Sequence, residues 1–200
     1  MQKPASGGPH GAGLELLPMP YVDAGASRLY YESYGEGAPV LFAHGVGGNH
    51  ASWFRQIPSL SRHFRTITFD HRAFGNSTDI EGLGRSAYVD DFVRLLDALE
   101  LDRVVLVGQS MGGGSTAAFT CRHPDRVRAL VHCDSLAAVQ LDEPYASELK
   151  ALNAETAELS QIERVLGITT RTTDPVNTFL YSQLASFNSV TMKTVKGTPT

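Results

Sequence analysis

The sequence predicts an α/β fold, in which helices flank a mostly parallel sheet. Short runs rich in β-branched and aromatic residues recur along the chain, and they begin at Arg28, Pro39, Arg65, Arg103 and Val127. The apolar residues of the last four runs are mostly continuous rather than alternating, which is typical of strands buried on both faces of a parallel sheet. Helical patterns separate these runs, and strands that alternate with helices form right-handed crossovers over such a sheet.

Two helical patterns lie between the predicted strands. The first places five apolar side chains on one face of a helix: Tyr88, Phe92, Leu95, Leu96 and Leu99. The second begins at Ser115 and is expected to end near Pro124, because proline lacks an amide proton and disfavours helix in the residue before it.

The composition changes after the last predicted strand. The segment that follows is rich in alanine, glutamate and leucine, which favour helix. A further helix is expected after Asp174-Pro175, since proline suits the first turn of a helix. We therefore predict a flexible lead-in over residues 1–20, an α/β core over 21–136 and a helical segment over 137–200 that lies on the sheet.

Length, composition and charge limit the classes of function. The chain has 200 residues, of which 42% are hydrophobic and 19% charged, as in an ordinary globular domain. A net charge of −4 gives no reason to expect a nucleic acid partner, and no basic helix suggests a membrane surface. No apolar run is long enough to span a bilayer, and the first 20 residues lack the apolar stretch of a secretory signal.

The two cysteines, Cys121 and Cys133, lie in apolar segments. This pattern predicts buried, reduced thiols rather than a disulfide, and their spacing matches no metal motif. Reduced thiols favour a cytoplasmic location.

The segment from Gly108 to Gly112 reads G-x-S-x-G, with Ser110 at its centre. It follows a predicted strand and opens a predicted helix, which is the context of a nucleophilic serine on a strained turn. The turn requires small residues two positions before and after the serine. The start of a helix also favours negative charge that develops there during a reaction. Ser110 is therefore the candidate nucleophile.

The same glycines also fit the spacing of a dinucleotide-binding loop, through Gly108, Gly112 and Gly114. That alternative requires the loop after the first strand and an acidic residue about twenty positions later. Here the loop follows the fourth or fifth predicted strand, and no Y-x-x-x-K pair comes after it. The nucleophile interpretation is favoured.

An earlier glycine-rich loop supplies the second element of such a site. The sequence His44-Gly45-Val46-Gly47 follows a predicted strand. Acyl transfer through a serine needs two N–H donors for the oxyanion, and these are expected from the backbone of Val46 and of Met111. His44 is expected to orient the loop rather than to act as the base.

A third segment, "FDHRAFGNS" from Phe69 to Ser77, follows the next predicted strand. Its Asp70 and Arg72 could pair with each other, and we expect structural roles for both.

Together these segments resemble the α/β-hydrolase fold family. The motifs are HG-x-G, D-x-R-x-x-G-x-S, G-x-S-x-G-G and "HPDRVRALV", in that order between about Leu29 and Leu136. Ala73 stands where the family usually has glycine. The resemblance implies a serine hydrolase that acts on a carboxylic ester or lactone through an acyl-enzyme, with no cofactor or metal. The chain is similar to esterases, lactonases such as 3-oxoadipate enol-lactonase, and C–C hydrolases, and the resemblance implies that residues 137–200 form a cap.

The serine at position 110 also excludes some activities within that resemblance. Haloalkane dehalogenases and epoxide hydrolases on this fold use an aspartate nucleophile. The serine at position 110 therefore argues against both activities. A small-molecule acyl substrate is the expected partner, and a homodimer is left open.

The catalytic histidine and acid are not identified by the sequence. The family completes its triad in the order serine, acid, histidine. Seven histidines are present: His10, His44, His50, His63, His71, His123 and His132. None follows residue 132, so we expect the remaining core strands, with the base, to lie outside this chain or in a partner chain.

Two aspartates are weak candidates for the acid. Asp174 follows "RVLGITTRTT", which faintly resembles a strand, and Asp134 ends the predicted strand "VRALVHCD". His123 and His132 lie too close in sequence to the serine turn to be the family's base, and core or helix-end positions suit them better.

Two alternative functions remain. One is a catalytically impaired ligand-binding protein on the same fold, and the other is a cofactor-free perhydrolase or haloperoxidase with the same triad. The substrate itself is not readable from the sequence. Phe179, Tyr181 and Phe187 could line a pocket, but aromatic residues at helical spacing are more often core residues.

Overall fold

The computed structural model describes residues 20–191 and 194–197. Almost all of the predicted lead-in, with His10, lies outside the described residues. The predicted α/β architecture is confirmed, with one six-stranded sheet. Its strands are β1 (Tyr21–Ala24), β2 (Ser27–Tyr34), β3 (Pro39–Ala43), β4 (Arg65–Phe69), β5 (Val104–Gln109) and β6 (Val127–Cys133).

The strand order β1-β2-β4-β3-β5-β6 places β3 at the centre of the parallel part. Strands β4, β3, β5 and β6 run parallel to one another, while β1 and β2 are antiparallel to their neighbours. The carboxyl ends of parallel strands meet at one edge of a sheet, which is where such folds place their sites. Ala43 at the end of β3 is level with Gly108 in β5. The loops after these two strands are therefore neighbours.

Seven α-helices accompany the sheet in the described part of the chain. They are α1 (Ile57–Leu60), α2 (Tyr88–Ala98), α3 (Met111–Arg122), α4 (Tyr145–Glu155), α5 (Gln161–Val165), α6 (Ile168–Thr173) and α7 (Pro175–Ser186). Short 3₁₀ turns cover His50–Trp53, Gly84–Ala87 and Pro124–Arg126. The two predicted crossover helices are confirmed as α2 and α3.

Helix α2 forms the main core with the sheet. All five of its predicted apolar positions, from Tyr88 to Leu99, are buried. Four of them share a cluster with side chains of β1, β3, β4 and β5: Val22, Leu41, Ile67, Phe69 and Leu106. Each fully buried side chain of this kind contributes about 1.5–3 kcal/mol to folding. The apolar periodicity of the sequence therefore determines how α2 is oriented.

Strand β6 departs from the prediction of strands buried on both faces. Only its first residue is buried, and Val131 is 44% exposed. The reason is position: within the described residues β6 pairs with β5 alone and forms an edge of the sheet. The prediction of buried cysteines is wrong for the same part of the fold, since Cys121 is exposed and Cys133 is half-buried. Both thiols are free.

The segment after β6 is helical, as predicted, but it contains one helix that the sequence analysis missed. Residues 168–173, considered above as a strand ahead of an acid, form α6. Asp174 therefore does not end a strand. Its side chain caps α7 instead, where Oδ1 accepts the Asn177 N–H at 3.1 Å and Oδ2 accepts the side-chain amide at 2.6 Å. These bonds lower the pKa of Asp174.

The last described residues return to the core. Val195 is buried in a second cluster with Val46, Phe74, Tyr88 and Met111. The division of the chain at residues 20 and 136 stays a prediction, but Val195 packs against residues of the core.

Arg72 is the centre of a buried ion pair, although not with Asp70. Its Nε and Nη2 donate to the two oxygens of Asp91 at 3.0 and 2.6 Å, and Nη1 donates to Glu81 at 2.8 Å. Nη2 also donates to the carbonyl of Ala24 at 3.1 Å. These bonds join the turn after β4 to α2 and β1. The pair that the sequence suggested between Asp70 and Arg72 does not form, because Asp70 faces His50 while Arg72 faces Asp91.

Ala73, in the next position, has a φ of 72°. This left-handed conformation costs a residue with a Cβ about 1–2 kcal/mol relative to glycine. We expect Ala73→Gly to stabilise the protein by about 0.5–1 kcal/mol, because part of the relief is offset by the greater freedom of glycine in the unfolded chain. Thermal unfolding should show a rise in Tm of about 2 °C.

Ala154→Gly is the matched control, since Ala154 lies exposed within α4. That change should instead lower stability by about 1 kcal/mol. If the two substitutions destabilise the protein equally, Ala73 does not hold the left-handed conformation.

Candidate active site

Ser110 lies on the turn between β5 and α3 with φ 51° and ψ −114°. This combination is sparsely populated for a residue with a side chain and costs about 1–3 kcal/mol. Hydrogen bonds hold it in place: the Ser110 N–H donates to the carbonyl of Cys133 at 3.1 Å, and its carbonyl accepts from Gly113 N–H and from the Ser135 hydroxyl, both at 3.0 Å. The predicted strained serine turn is therefore present.

The glycines on either side of Ser110 allow close backbone approach. A Cβ at Gly112 would overlap the backbone oxygen of Ala43 at the end of β3. A Cβ at Gly108 would overlap the side chain of Thr116 and come within 2.7 Å of the Gly112 carbonyl oxygen. The G-x-S-x-G pattern thus reflects direct packing of the start of α3 on two strands.

The loop after β3 lies directly beside Ser110. A Cβ built on Gly45 would be 3.0 Å from Ser110 Cβ. Val46, next in the loop, and Met111, next after the serine, are buried in the same cluster. Neither backbone N–H has an acceptor among the backbone hydrogen bonds of the described residues. The structure therefore brings Val46 and Met111 close to Ser110 as the sequence suggested, and within the described residues neither amide donates to a backbone acceptor.

His44 is buried beneath this loop, and both of its ring nitrogens are engaged. Nε2 accepts the His71 N–H at 3.0 Å, so the ring proton is on Nδ1, which donates to the carbonyl of Gly45 at 2.8 Å. Burial lowers the pKa of His44 to about 4. The ring is neutral at pH 7 and has no nitrogen available to take a proton from Ser110. These contacts support the expected role in orienting the loop.

His50 and Asp70 form a contact that the sequence did not predict. The buried Asp70 carboxylate accepts the His50 N–H at 2.6 Å, the His50 ring at 2.8 Å and the Asn76 N–H at 2.8 Å. Burial alone would lower the pKa of His50, but the hydrogen bond and charge of Asp70, together with Glu32, raise it. This pair ties the end of the loop after β3 to the end of β4. The residue types alone could have suggested it, but their spacing matches no motif.

A cavity of about 680 Å³ opens over Ser110. The core contributes the loop from His44 to Gly48, together with Trp53 and Gln109. Helices α4, α5 and α7 form the opposite wall: Leu152, Asn153, Thr156, Gln161, Arg164, Val165, Tyr181 and Leu184. A cavity of this size suits a small molecule.

The three aromatic residues considered for a pocket have different environments. Tyr181 lines the cavity. Phe179 and Phe187 are 65% and 67% exposed, so for these two neither the pocket nor the core interpretation is correct. The reason is that α7 lies on the outside of the fold, with a single face turned to the cavity.

None of the described histidines hydrogen-bonds to the Ser110 hydroxyl. His123 ends α3, as expected for a helix-end residue. His132 is exposed on β6, which corrects the expectation of a core or helix-end position. Asp134 follows β6 with a φ of 48° and is exposed. It adjoins Cys133, whose carbonyl binds the Ser110 amide, so it stays a candidate for the acid.

Two further features concern metals and membranes. Across residues 20–191 and 194–197 there is no cluster of three or more His, Cys, Asp or Glu side chains suited to a metal ion. In the same residues no helix combines the length and apolar character needed to cross a bilayer.

The comparison with known families agrees with this geometry. A family model described as the alpha/beta hydrolase fold matches residues 38–188. The chain belongs to the α/β-hydrolase family. The match runs from the start of β3, through the loop after it and Ser110, to just beyond α7.

Several relatives of this α/β-hydrolase are named as hydrolases, and others are named as non-heme chloroperoxidases. A 2-hydroxy-6-oxo-2,4-heptadienoate hydrolase of Pseudomonas putida is 43% identical over 115 residues, which are 55% of this chain and 42% of the relative. A thermophilic esterase from Thermogutta terrifontis is 31% identical, with a TM-score of 0.64 over 80% of this chain and 61% of the other. Est816, described as an N-acyl homoserine lactone degrading enzyme, is 30% identical, with a TM-score of 0.65 over 84% and 65%. The chain spans about half the length of the curated relatives it matches.

The strain at Ser110 can be measured in this α/β-hydrolase without an activity assay. Glycine adopts the observed φ and ψ freely, whereas alanine keeps the Cβ that causes the strain. We expect Ser110→Gly to be about 1 kcal/mol more stable than Ser110→Ala in urea unfolding, after allowance for the flexibility of glycine in the unfolded chain. An alanine variant as stable as the glycine variant would contradict a strained turn.

The environment of His44 predicts its titration. Its pKa in the folded protein is about 4, below the ordinary value of 6.5. The unfolded chain therefore takes up this proton first as the pH falls, and the protein loses roughly 1.4 kcal/mol of stability per pH unit between 6.5 and 4 from this group. NMR titration of the histidine rings should show His44 half-protonated near pH 4.

His50 is the internal control, because Asp70 and Glu32 shift its pKa in the opposite direction. It should titrate above 6.5 in the same experiment. A His44 ring that titrates near its ordinary value would mean that it is not held between His71 and Gly45.

Proposed function

We propose that the protein is a serine hydrolase that cleaves a small carboxylic ester or lactone through an acyl-enzyme on Ser110. The observation that carries the proposal is the strained Ser110 turn at the base of the cavity, with the free N–H groups of Val46 and Met111 beside it. A strained conformation is retained where it contributes to function. A protein that only binds a ligand need not retain such a turn.

The reaction has two balanced steps. Ser110 Oγ attacks the acyl carbon, a histidine takes the hydroxyl proton, and the Val46 and Met111 amides bind the oxygen on which negative charge develops. The bond from carbon to the leaving oxygen breaks, and the histidine returns the proton to that oxygen. Water then attacks the acyl-enzyme by the same path and releases the acid, with Ser110 restored.

We place the base in a part of the full-length protein that corresponds to the remainder of its relatives. The described histidines support this, because His44 has both ring nitrogens engaged, and His50 pairs with Asp70. Asp134 remains a candidate for the acid that orients this base. We also propose a cytoplasmic location, where free thiols such as those of Cys121 and Cys133 stay reduced.

The relatives support a small substrate with a reactive carbonyl group. One is named for a dienoate, one for a lactone and one as an esterase. The cavity of about 680 Å³ fits molecules of this size.

The role of Ser110 is tested by a fluorophosphonate probe, which reacts with activated serines. We expect one adduct on Ser110 in the full-length protein and none in Ser110→Ala. Hydrolysis of p-nitrophenyl butyrate should fall at least about 10³-fold in that variant, because the nucleophile is lost while the binding cavity remains.

Ser186→Ala is the control, since Ser186 lies exposed at the end of α7. It should leave both labelling and hydrolysis unchanged. If the unaltered protein is neither labelled nor active, the hydrolase proposal fails and the ligand-binding alternative takes its place.

A further inference from the structure

Two polar side chains of the helical segment lie directly over the loop after β3, which holds the expected oxyanion donor Val46. Gly47 has a φ of 99°, and a Cβ built there would be 2.7 Å from Tyr181 Oη and 3.0 Å from Gln161 Nε2. Tyr181 is on α7 and Gln161 begins α5, and both line the cavity above Ser110. A hydroxyl group therefore lies one residue along the chain from the expected oxyanion donor, Val46.

The position of α7 relative to this loop is fixed by two amide side chains. Asn49 Nδ2 donates to the carbonyl of Leu184 at 2.8 Å, and Leu184 lies one turn beyond Tyr181 on the same face. After the helix, Asn188 Nδ2 donates to the carbonyl of Gly48 at 3.0 Å, and its Oδ1 accepts the Gly75 N–H at 3.1 Å. The hydroxyl of Tyr181 is thus placed by contacts on either side of it.

The hydrogen-bonding state of Tyr181 leaves one donor for a ligand. Its oxygen accepts from Gln161 Nε2 at 3.3 Å. Burial raises the pKa of Tyr181, so the hydroxyl keeps its proton near neutral pH. Among the described residues this proton has no acceptor, and the group faces the cavity.

We propose that Tyr181, oriented by Gln161, donates a hydrogen bond to an oxygen on the carbon next to the scissile carbonyl, and so selects acyl groups that carry an ether, hydroxyl or keto oxygen at that position. The inference rests on the proposed function, in which Val46 binds the carbonyl oxygen. The α-carbons of Val46 and Gly47 are about 3.8 Å apart. If Val46 binds the oxygen of the scissile carbonyl, an atom one or two bonds from that carbonyl carbon can reach the Tyr181 hydroxyl over Gly47. Tyr181 is thus a specificity residue that contacts substrate.

The test uses two esters of nearly the same shape, p-nitrophenyl methoxyacetate and p-nitrophenyl butyrate. The first has an ether oxygen where the second has a methylene group. In the full-length protein, Tyr181→Phe should lower kcat/KM for the methoxyacetate about three- to ten-fold, as expected for the loss of one neutral hydrogen bond. It should change kcat/KM for the butyrate less than about two-fold.

Two further variants separate the contact from a general effect on folding. Tyr145→Phe makes the same chemical change at an exposed position of α4 and should alter neither ester. Gln161→Met removes the donor that orients the hydroxyl and should lower the methoxyacetate value by a smaller factor, in the same direction. Equal losses for both esters in Tyr181→Phe, or no loss for the methoxyacetate, overturn the proposal.

A binding measurement keeps the contact testable if the hydrolase proposal fails. Methoxyacetanilide and butyranilide carry the same two acyl groups on an unreactive amide. NMR titration into Ser110→Ala should show a three- to ten-fold weaker Kd for methoxyacetanilide when Tyr181→Phe is added, and an unchanged Kd for butyranilide. No binding of methoxyacetanilide, or equal affinity in both proteins, overturns the contact with Tyr181. Absence of labelling at Ser110 bears on the proposed reaction alone.

Discussion

The close approach of the start of α3 to the end of β3 is the contact on which the site depends. Gly112 lies so near the backbone oxygen of Ala43 that no side chain fits between them. This approach places Ser110 beside Gly45 and brings the amides of Val46 and Met111 to the same place. Because α3 packs directly on the end of β3, a serine turn that relaxed by moving α3 would break this contact.

The strain of this turn is balanced by fixed polar contacts around it. Ser110 is hydrogen-bonded through both its N–H and its carbonyl, and the loop after β3 rests on the buried ring of His44. Asp70 holds the far end of the same loop through His50. Buried polar groups of this kind are costly when unpaired, so their pairing here keeps the loop in a single conformation.

The helical segment is hydrogen-bonded to the loop after β3 rather than merely covering it. Asn49 and Asn188 connect the loop to the end of α7, and Tyr181 and Gln161 lie over Gly47. The shape of the cavity and the position of the loop after β3 are therefore linked through the same few residues.

The sequence by itself determined the α/β class, the orientation of α2 and the serine turn, because these depend on local periodicity and on glycine spacing. It also selected Val46 and Met111, through motifs that adjoin strand ends. Tertiary structure alone decided the exposure of β6, the partners of Asp70 and Arg72, and the different surroundings of Tyr181 and Phe179. These depend on which elements become neighbours, since burial and pairing arise between residues far apart in the chain.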